Sequence, residues 1–125
     1  MDAMPHILII EDDASVREVL KEALMRNGYE VSTAVNGKEG LELYQKRQSD
    51  LVIVDIIMPI IDGPDTIYEL KKDFPKVKVI AISGGGKESG EDHLESTKIL
   101  SCVKRTFSKP FAMDEFFSCV KELIG

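Results

Sequence analysis

The sequence predicts an α/β domain built on a doubly wound, five-stranded parallel sheet. Short apolar runs rich in β-branched residues alternate with segments whose apolar residues recur at helical spacing. The alternation fills all 125 residues without a linker, a repeat or a low-complexity segment, so we expect a single domain over residues 1–125. Strict alternation indicates a parallel sheet with helices on both faces, and five strands of this kind suggest the order 2-1-3-4-5.

Five runs are predicted to be strands. The third, Leu51–Val54 leading into Asp55, is apolar throughout, which is typical of a central strand buried on both faces. The fifth, Val103–Ser108, contains two basic residues, as an edge strand can. The remaining three are expected at His6–Ile10, Tyr29–Ala34 and Val77–Ile82.

Five segments are predicted to be helices, and two of them begin at recognisable caps. Asp13 can cap the first helix, Ala14–Asn27. Asn36 can cap the second, with Glu39 three residues on in a capping-box-like pair. The other helices are expected at Gly63–Asp73, at Lys87–Ser101 and from Met113 to Ile124, the last without a capping side chain at Ala112.

Composition excludes several classes of function. The 16 basic and 22 acidic residues give a net charge of −6, which argues against direct nucleic-acid binding by this chain. The N-terminus has no basic region typical of a signal peptide, and no apolar run approaches membrane-spanning length. Cys102 and Cys119 form no CxxC motif and are expected to be small buried thiols. A cytoplasmic protein without membrane contact is expected.

Polar residues follow four of the five predicted strands. Glu11 and Asp12 follow the first strand, Asp55 the third, Ser83 the fourth and Lys109 the fifth. If the first and third strands are neighbours, three carboxylates converge, and a hard divalent cation such as Mg²⁺ relieves their repulsion. A hydroxyl and an ammonium opposite them complete a pocket that fits a phosphoryl group, with Asp55 as an in-line nucleophile.

Each of these residues has a simpler explanation when it is taken alone. Acids gather at helix N-termini because they match the helix dipole. Ser83 can be a turn residue, and most lysines, including Lys109, are exposed. Gly84–Gly86 followed by Lys87 does not have P-loop spacing. Their joint placement at strand ends is what favours the functional interpretation.

The same residues resemble the receiver (response-regulator) domain of bacterial two-component signalling over essentially the full chain. The matching segments are IIEDDASVR, DIIMPIIDG from Asp55, the Ser83-Gly84 pair and KPF from Lys109. The resemblance implies a flavodoxin-like (βα)5 fold with Asp55 as the phosphoacceptor. It also implies that Mg²⁺ is held by Glu11, Asp12, Asp55 and the backbone carbonyl of Ile57, while Ser83 and Lys109 contact the phosphoryl group.

The resemblance further implies the partners. The phosphoryl donor would be a sensor histidine kinase or a phosphotransfer protein, and the receiver of the signal a downstream effector or an output domain absent from these 125 residues. The chain would then be a signalling module rather than an enzyme with a separate substrate. It would catalyse its own aspartyl phosphorylation and dephosphorylation.

Two features depart from the family pattern and leave alternatives open. Thr106 stands where family members usually carry Tyr or Phe, and the segment between Ser83 and Lys109 is about four residues longer than expected. The Thr106 departure alone supports a second hypothesis, a receiver-like binding module that works without phosphorylation. A flavodoxin is disfavoured by the acids after the first strand, and a dehalogenase-type phosphatase by Ile57 in place of a second Asp.

Overall fold

The computed structural model describes residues 4–55, 63–83, 105–108 and 112–125. The strands are β1 (His6–Ile10), β2 (Glu30–Ala34), β3 (Leu51–Asp55), β4 (Val79–Ser83) and β5 (Arg105–Ser108). The helices are α1 (Ala14–Arg26), α2 (Gly37–Lys46), α3 (Gly63–Asp73) and α4 (Met113–Ile124). The predicted helix Lys87–Ser101 lies outside the described residues, as do Ile57, Cys102 and Lys109.

All the strands pair in parallel, in the order β2-β1-β3-β4-β5. The predicted class, a parallel sheet covered by helices, is confirmed. Three strand boundaries were wrong: β2 begins at Glu30 rather than Tyr29, and β4 runs from Val79 to Ser83 rather than from Val77 to Ile82. At the start of β4 the reason is that the Val77 backbone N–H donates to the carbonyl oxygen of Phe74 at 3.0 Å, which closes a turn after α3 before the strand begins.

Two hydrophobic cores cover the two faces of the sheet. Successive strand residues point to opposite faces, so β1 sends Ile7 and Ile9 to one face and Leu8 and Ile10 to the other. On the first face the strands pack against α1 and α4, through Leu20, Leu24, Phe116, Cys119 and Val120. On the second face they pack against α2 and α3, through Tyr44, Ile67 and Leu70. The central strands β1 and β3 are consequently buried along their whole length.

The predicted helix caps are present. Asp13 Oδ1 accepts from the Val16 backbone N–H at 3.1 Å, and Asn36 Oδ1 accepts from that of Glu39 at 2.8 Å. Glu39 Oε1 accepts from the Val35 N–H at 2.8 Å, one residue before the cap, so the reciprocal bond of a capping box is displaced by one position. The Ala112 side chain makes no capping hydrogen bond to α4. The first two helices thus begin with local stabilisation that α4 lacks.

His6 joins three strands at the amino edge of the sheet. Its ring Nε2 is hydrogen bonded to Ser32 Oγ at 2.7 Å. Its backbone N–H donates to Asp50 Oδ2 at 2.8 Å, and the Asp50 N–H donates to the His6 carbonyl oxygen at 2.7 Å. The other ring nitrogen, Nδ1, is buried without a hydrogen-bond partner among the described residues.

Burial lowers the pKa of His6 below its ordinary value, and the nearby Arg47 guanidinium acts in the same direction. Glu30 and Asp50 oppose the shift less strongly. Because the folded pKa lies below the unfolded one, the unfolded chain binds more protons in acid. The stability contributed by neutral His6 is therefore complete above about pH 6.5 and is lost as the pH falls from there through the folded pKa.

We expect His6→Gln to flatten the acid dependence of stability. Urea unfolding of the wild type should show a free energy of unfolding that declines between about pH 7 and pH 5, and the variant should lose much of that slope. The other histidine, His93, provides the control, because His93→Gln makes the same substitution elsewhere in the chain. Equal slopes for wild type and His6→Gln would contradict the prediction.

Candidate metal centre at the carboxyl edge of the sheet

The register of the sheet brings the predicted site residues to one edge. Ile10 of β1 pairs with Val54 of β3, and the next residues along these strands are Glu11 and Asp55. Asp55 in turn pairs with Ile82 of β4. Parallel strands end at the same edge, so the order of the strands alone places Glu11 and Asp55 side by side.

Three carboxylates meet at this edge. Glu11, Asp12 and Asp55 each offer an oxygen, and these oxygens all lie within 4.8 Å of one another. Glu11 and Asp55 are 1% and 5% exposed, whereas Asp12 is exposed. Two of the acids are thus buried, and the third lies on the solvent side of the cluster.

This donor set fits Mg²⁺. The ion prefers hard oxygen ligands at about 2.1 Å, so two oxygens bound to one ion lie roughly 3 to 4 Å apart. The spacing of the carboxylates is close to that range, and one exposed member leaves an open side for water or substrate oxygens. Asp13, the remaining acid of the Glu11–Asp13 run, is outside the cluster and caps α1.

The turn between β1 and α1 holds Glu11 in place through its own backbone. The Glu11 N–H donates to the Ala34 carbonyl oxygen of β2 at 3.0 Å. One carboxylate oxygen, Glu11 Oε2, accepts from the Asp13 N–H at 3.2 Å. The buried carboxylate is therefore oriented by a hydrogen bond within the turn as well as by the packing around it.

Arg17 also contacts this turn and is a site residue that was not predicted from the sequence. Its Nη1 donates to the Glu11 carbonyl oxygen at 2.9 Å, and the same atom lies 3.4 Å from that of Asp12. A signal was available in the sequence. Arg17 stands near the N-terminus of α1, where the helix dipole disfavours a cation, and the first turn contains no acid.

The described backbone also locates the other side of the predicted pocket. β4 ends at Ser83, which pairs with Ser108 at the end of β5. Lys109 is the next residue in the sequence. Thr106 pairs with Ala81 within the sheet. The contacts of Lys109 and of the Ile57 carbonyl lie outside the described residues, so their roles stay predictions.

Two further expectations concern cysteine and the membrane. Cys119 is a buried thiol on α4, as predicted. In the part of the chain that the structure describes, no helix combines the length and the apolar character that crossing a bilayer requires.

Comparison with protein families gives one match over most of the chain. The family model described as response regulator receiver domain matches residues 7–121. The chemotaxis protein CheY of Bacillus subtilis is 32% identical over 120 residues, which cover 95% of this chain and 97% of that protein. Other curated relatives are longer, and the chain spans 12%, 56% and 32% of the length of three of them.

Solved structures show the same fold. The response regulator protein TrrA of Thermotoga maritima, crystallised in complex with Mg²⁺-BeF, superimposes with a TM-score of 0.84 at 35% identity, over 96% of this chain and 99% of that one. A crystal structure of histidine kinase ThkA in complex with TrrA gives a TM-score of 0.84 at 34% identity, over 98% of this chain and 100% of TrrA. The architecture is therefore that of CheY-type flavodoxin-like domains.

Proposed function

The chain belongs to the response regulator receiver domain family of two-component signalling, and from that premise we propose that it accepts a phosphoryl group on Asp55 with the help of Mg²⁺. The observation that carries the proposal is the convergence of Glu11, Asp12 and Asp55 within 4.8 Å at the carboxyl edge of the sheet. The match of Mg²⁺-BeF-bound TrrA to the same fold adds support.

The chemistry follows from the residues at that edge. A carboxylate oxygen of Asp55 attacks phosphorus in line, forming an O–P bond while the bond from phosphorus to the donor's histidine nitrogen breaks. Glu11 and Asp12 would hold the Mg²⁺, together with Asp55 itself. When bound, the ion offsets the negative charge of the phosphoryl oxygens and of the attacking carboxylate. Hydrolysis of the aspartyl phosphate by water would complete the cycle.

The rest of the pocket is proposed from the family pattern and from the strand register. Ser83 and Lys109 would contact the phosphoryl oxygens, because the ends of β4 and β5 lie side by side at the edge that carries Asp55. The Ile57 backbone carbonyl would be a further metal ligand. We also propose that the chain completes five β/α units, with the remaining helix formed by Lys87–Ser101.

A sensor histidine kinase or a phosphotransfer protein is the proposed donor. The complex of ThkA with TrrA supports this choice, because TrrA has the same fold and is 34% identical. Phosphorylation would shift an existing equilibrium of the domain, and a downstream effector or an attached output domain would read the shifted state. We place this exchange in the cytoplasm, without direct nucleic-acid or membrane contact by this domain.

Phosphorylation by a small donor tests the proposal. We expect the purified protein, incubated with acetyl phosphate and Mg²⁺, to gain one phosphoryl mass by intact-protein mass spectrometry. Asp55→Asn should gain none, since the amide cannot replace the carboxylate nucleophile. Chelation of the metal should also prevent the gain.

A matched control separates Asp55 from its acidic neighbours. Asp13→Asn removes one charge beside the cluster and keeps a residue that caps helices well. This variant should still be phosphorylated. A phosphoryl group that persists in Asp55→Asn, or its absence from the wild type, would refute the proposal and favour a binding module that works without phosphorylation.

A further inference from the structure

Arg17 links α1 to the turn that carries two of the three acids. The carbonyl oxygens of Glu11 and Asp12 lie 2.9 and 3.4 Å from its Nη1. The side chain is half-buried, and its own backbone N–H donates to the Asp13 carbonyl oxygen at 2.9 Å. A single guanidinium therefore connects the first turn of the helix to the peptide groups on both sides of Asp12.

The charge of Arg17 is unfavourable at this place for two reasons. A cation near a helix N-terminus opposes the helix dipole. A positive charge close to a carboxylate cluster also repels any divalent ion that binds there. On charge alone, removal of Arg17 would tighten metal binding. If the hydrogen bonds of Arg17 order the turn, its removal would instead weaken metal binding. A measured affinity therefore shows whether the charge or the hydrogen bonds have the larger effect.

The hydrogen bonds matter most for Asp12. The Glu11 side chain is buried, and its Oε2 is already oriented by the Asp13 N–H. Asp12 is exposed, so packing does little to restrain its carboxylate. The position of that carboxylate depends on the peptide planes beside it, which are the groups that Arg17 holds.

We propose that Arg17 is a positioning residue of the metal site. By holding the carbonyl groups of Glu11 and Asp12, it fixes the Asp12 carboxylate relative to Asp55 and increases affinity for a divalent cation, despite its own positive charge. The inference rests on the proposed function, because it takes the carboxylate cluster to be a Mg²⁺ site.

Binding of Mn²⁺, followed by electron paramagnetic resonance, gives a direct test. Arg17→Met should raise the Mn²⁺ dissociation constant about tenfold, the lower end of what loss of an outer-shell contact costs. Arg26→Met is the matched control. It removes the same charge from the exposed last turn of the same helix, where the Arg26 side chain makes no hydrogen bond within the described residues. This control should bind Mn²⁺ as the wild type does.

Arg17→Lys keeps the charge and loses the planar fork of donors, so it should also bind Mn²⁺ more weakly than the wild type. It also provides the test if Arg17→Met does not fold. In phosphorylation by acetyl phosphate, the Mg²⁺ concentration for half-maximal rate should rise, while the rate at saturating Mg²⁺ should change much less.

The outcomes separate this inference from the proposed function. Wild-type affinity in the folded Arg17 variants, or tighter binding in Arg17→Met, would overturn the positioning role alone. Absence of Mn²⁺ binding by the wild type would overturn the metal site itself and the inference with it.

Discussion

Phe116→Ala is expected to remove a large part of the stability of the domain. Phe116 is a fully buried aromatic residue in the core between the sheet and the face formed by α1 and α4. Truncation of a buried Phe costs about 3 to 5 kcal/mol, against a total of roughly 5 to 15 kcal/mol for a typical domain. The loss should appear as a large decrease in the midpoint of urea unfolding.

The size of this effect follows from how α4 is held. Ala112 provides no side-chain cap, so the helix depends on packing more than on local hydrogen bonds. Phe117 is the matched control, since it is the same residue type at the next position and is only partly buried. Phe117→Ala should cost about 1 kcal/mol. Similar losses for the two variants would show that the deeper burial of Phe116 does not set the size of its contribution to stability.

Much of the fold could be predicted because local pattern and tertiary structure agree. The apolar runs at Leu51–Val54 and His6–Ile10 are buried throughout, as expected for central parallel strands. Asp13 and Asn36 cap their helices because a cap depends on residues two or three positions away. Val77 was assigned to β4 because the alternation of apolar residues in that strand extends back to it. In the structure its backbone N–H instead closes a turn with the Phe74 carbonyl oxygen.

The sequence could predict which acids lie close together at the site, but not the contacts that support them. Parallel strands end together, so Glu11, Asp12 and Asp55 could be brought together from the strand order alone. Strand order could not predict the contacts of Arg17. Its unfavourable place near the N-terminus of α1 marks the residue but does not identify the carbonyl oxygens that its long side chain contacts. Similarly, nothing in the sequence pairs His6 with Ser32, which lies on a different strand.

Asp12→Asn should be more stable than the wild type without Mg²⁺ and less stable than the wild type with it. Without metal, the substitution removes one of three like charges within 4.8 Å. Each unit-charge pair at about 5 Å repels by roughly 1 kcal/mol in high dielectric, and Asp12 takes part in two such pairs, so the variant should be more stable than the wild type by up to about 2 kcal/mol. With Mg²⁺, the wild type should gain about 2.7 kcal/mol when the free ion is about a hundredfold above its dissociation constant, and the variant should gain little.

Urea unfolding at neutral pH, with and without Mg²⁺, measures the free energy of unfolding of both proteins under both conditions. Asp13→Asn is again the control, because it makes the same change of charge next to the cluster and should keep the stabilisation by Mg²⁺. The charge of a metal ligand is expected to destabilise the metal-free fold and to stabilise the fold when the ion is bound. Asp12 should show both effects. If Asp12→Asn gained as much from Mg²⁺ as the wild type, Asp12 could not be a ligand of the stabilising ion.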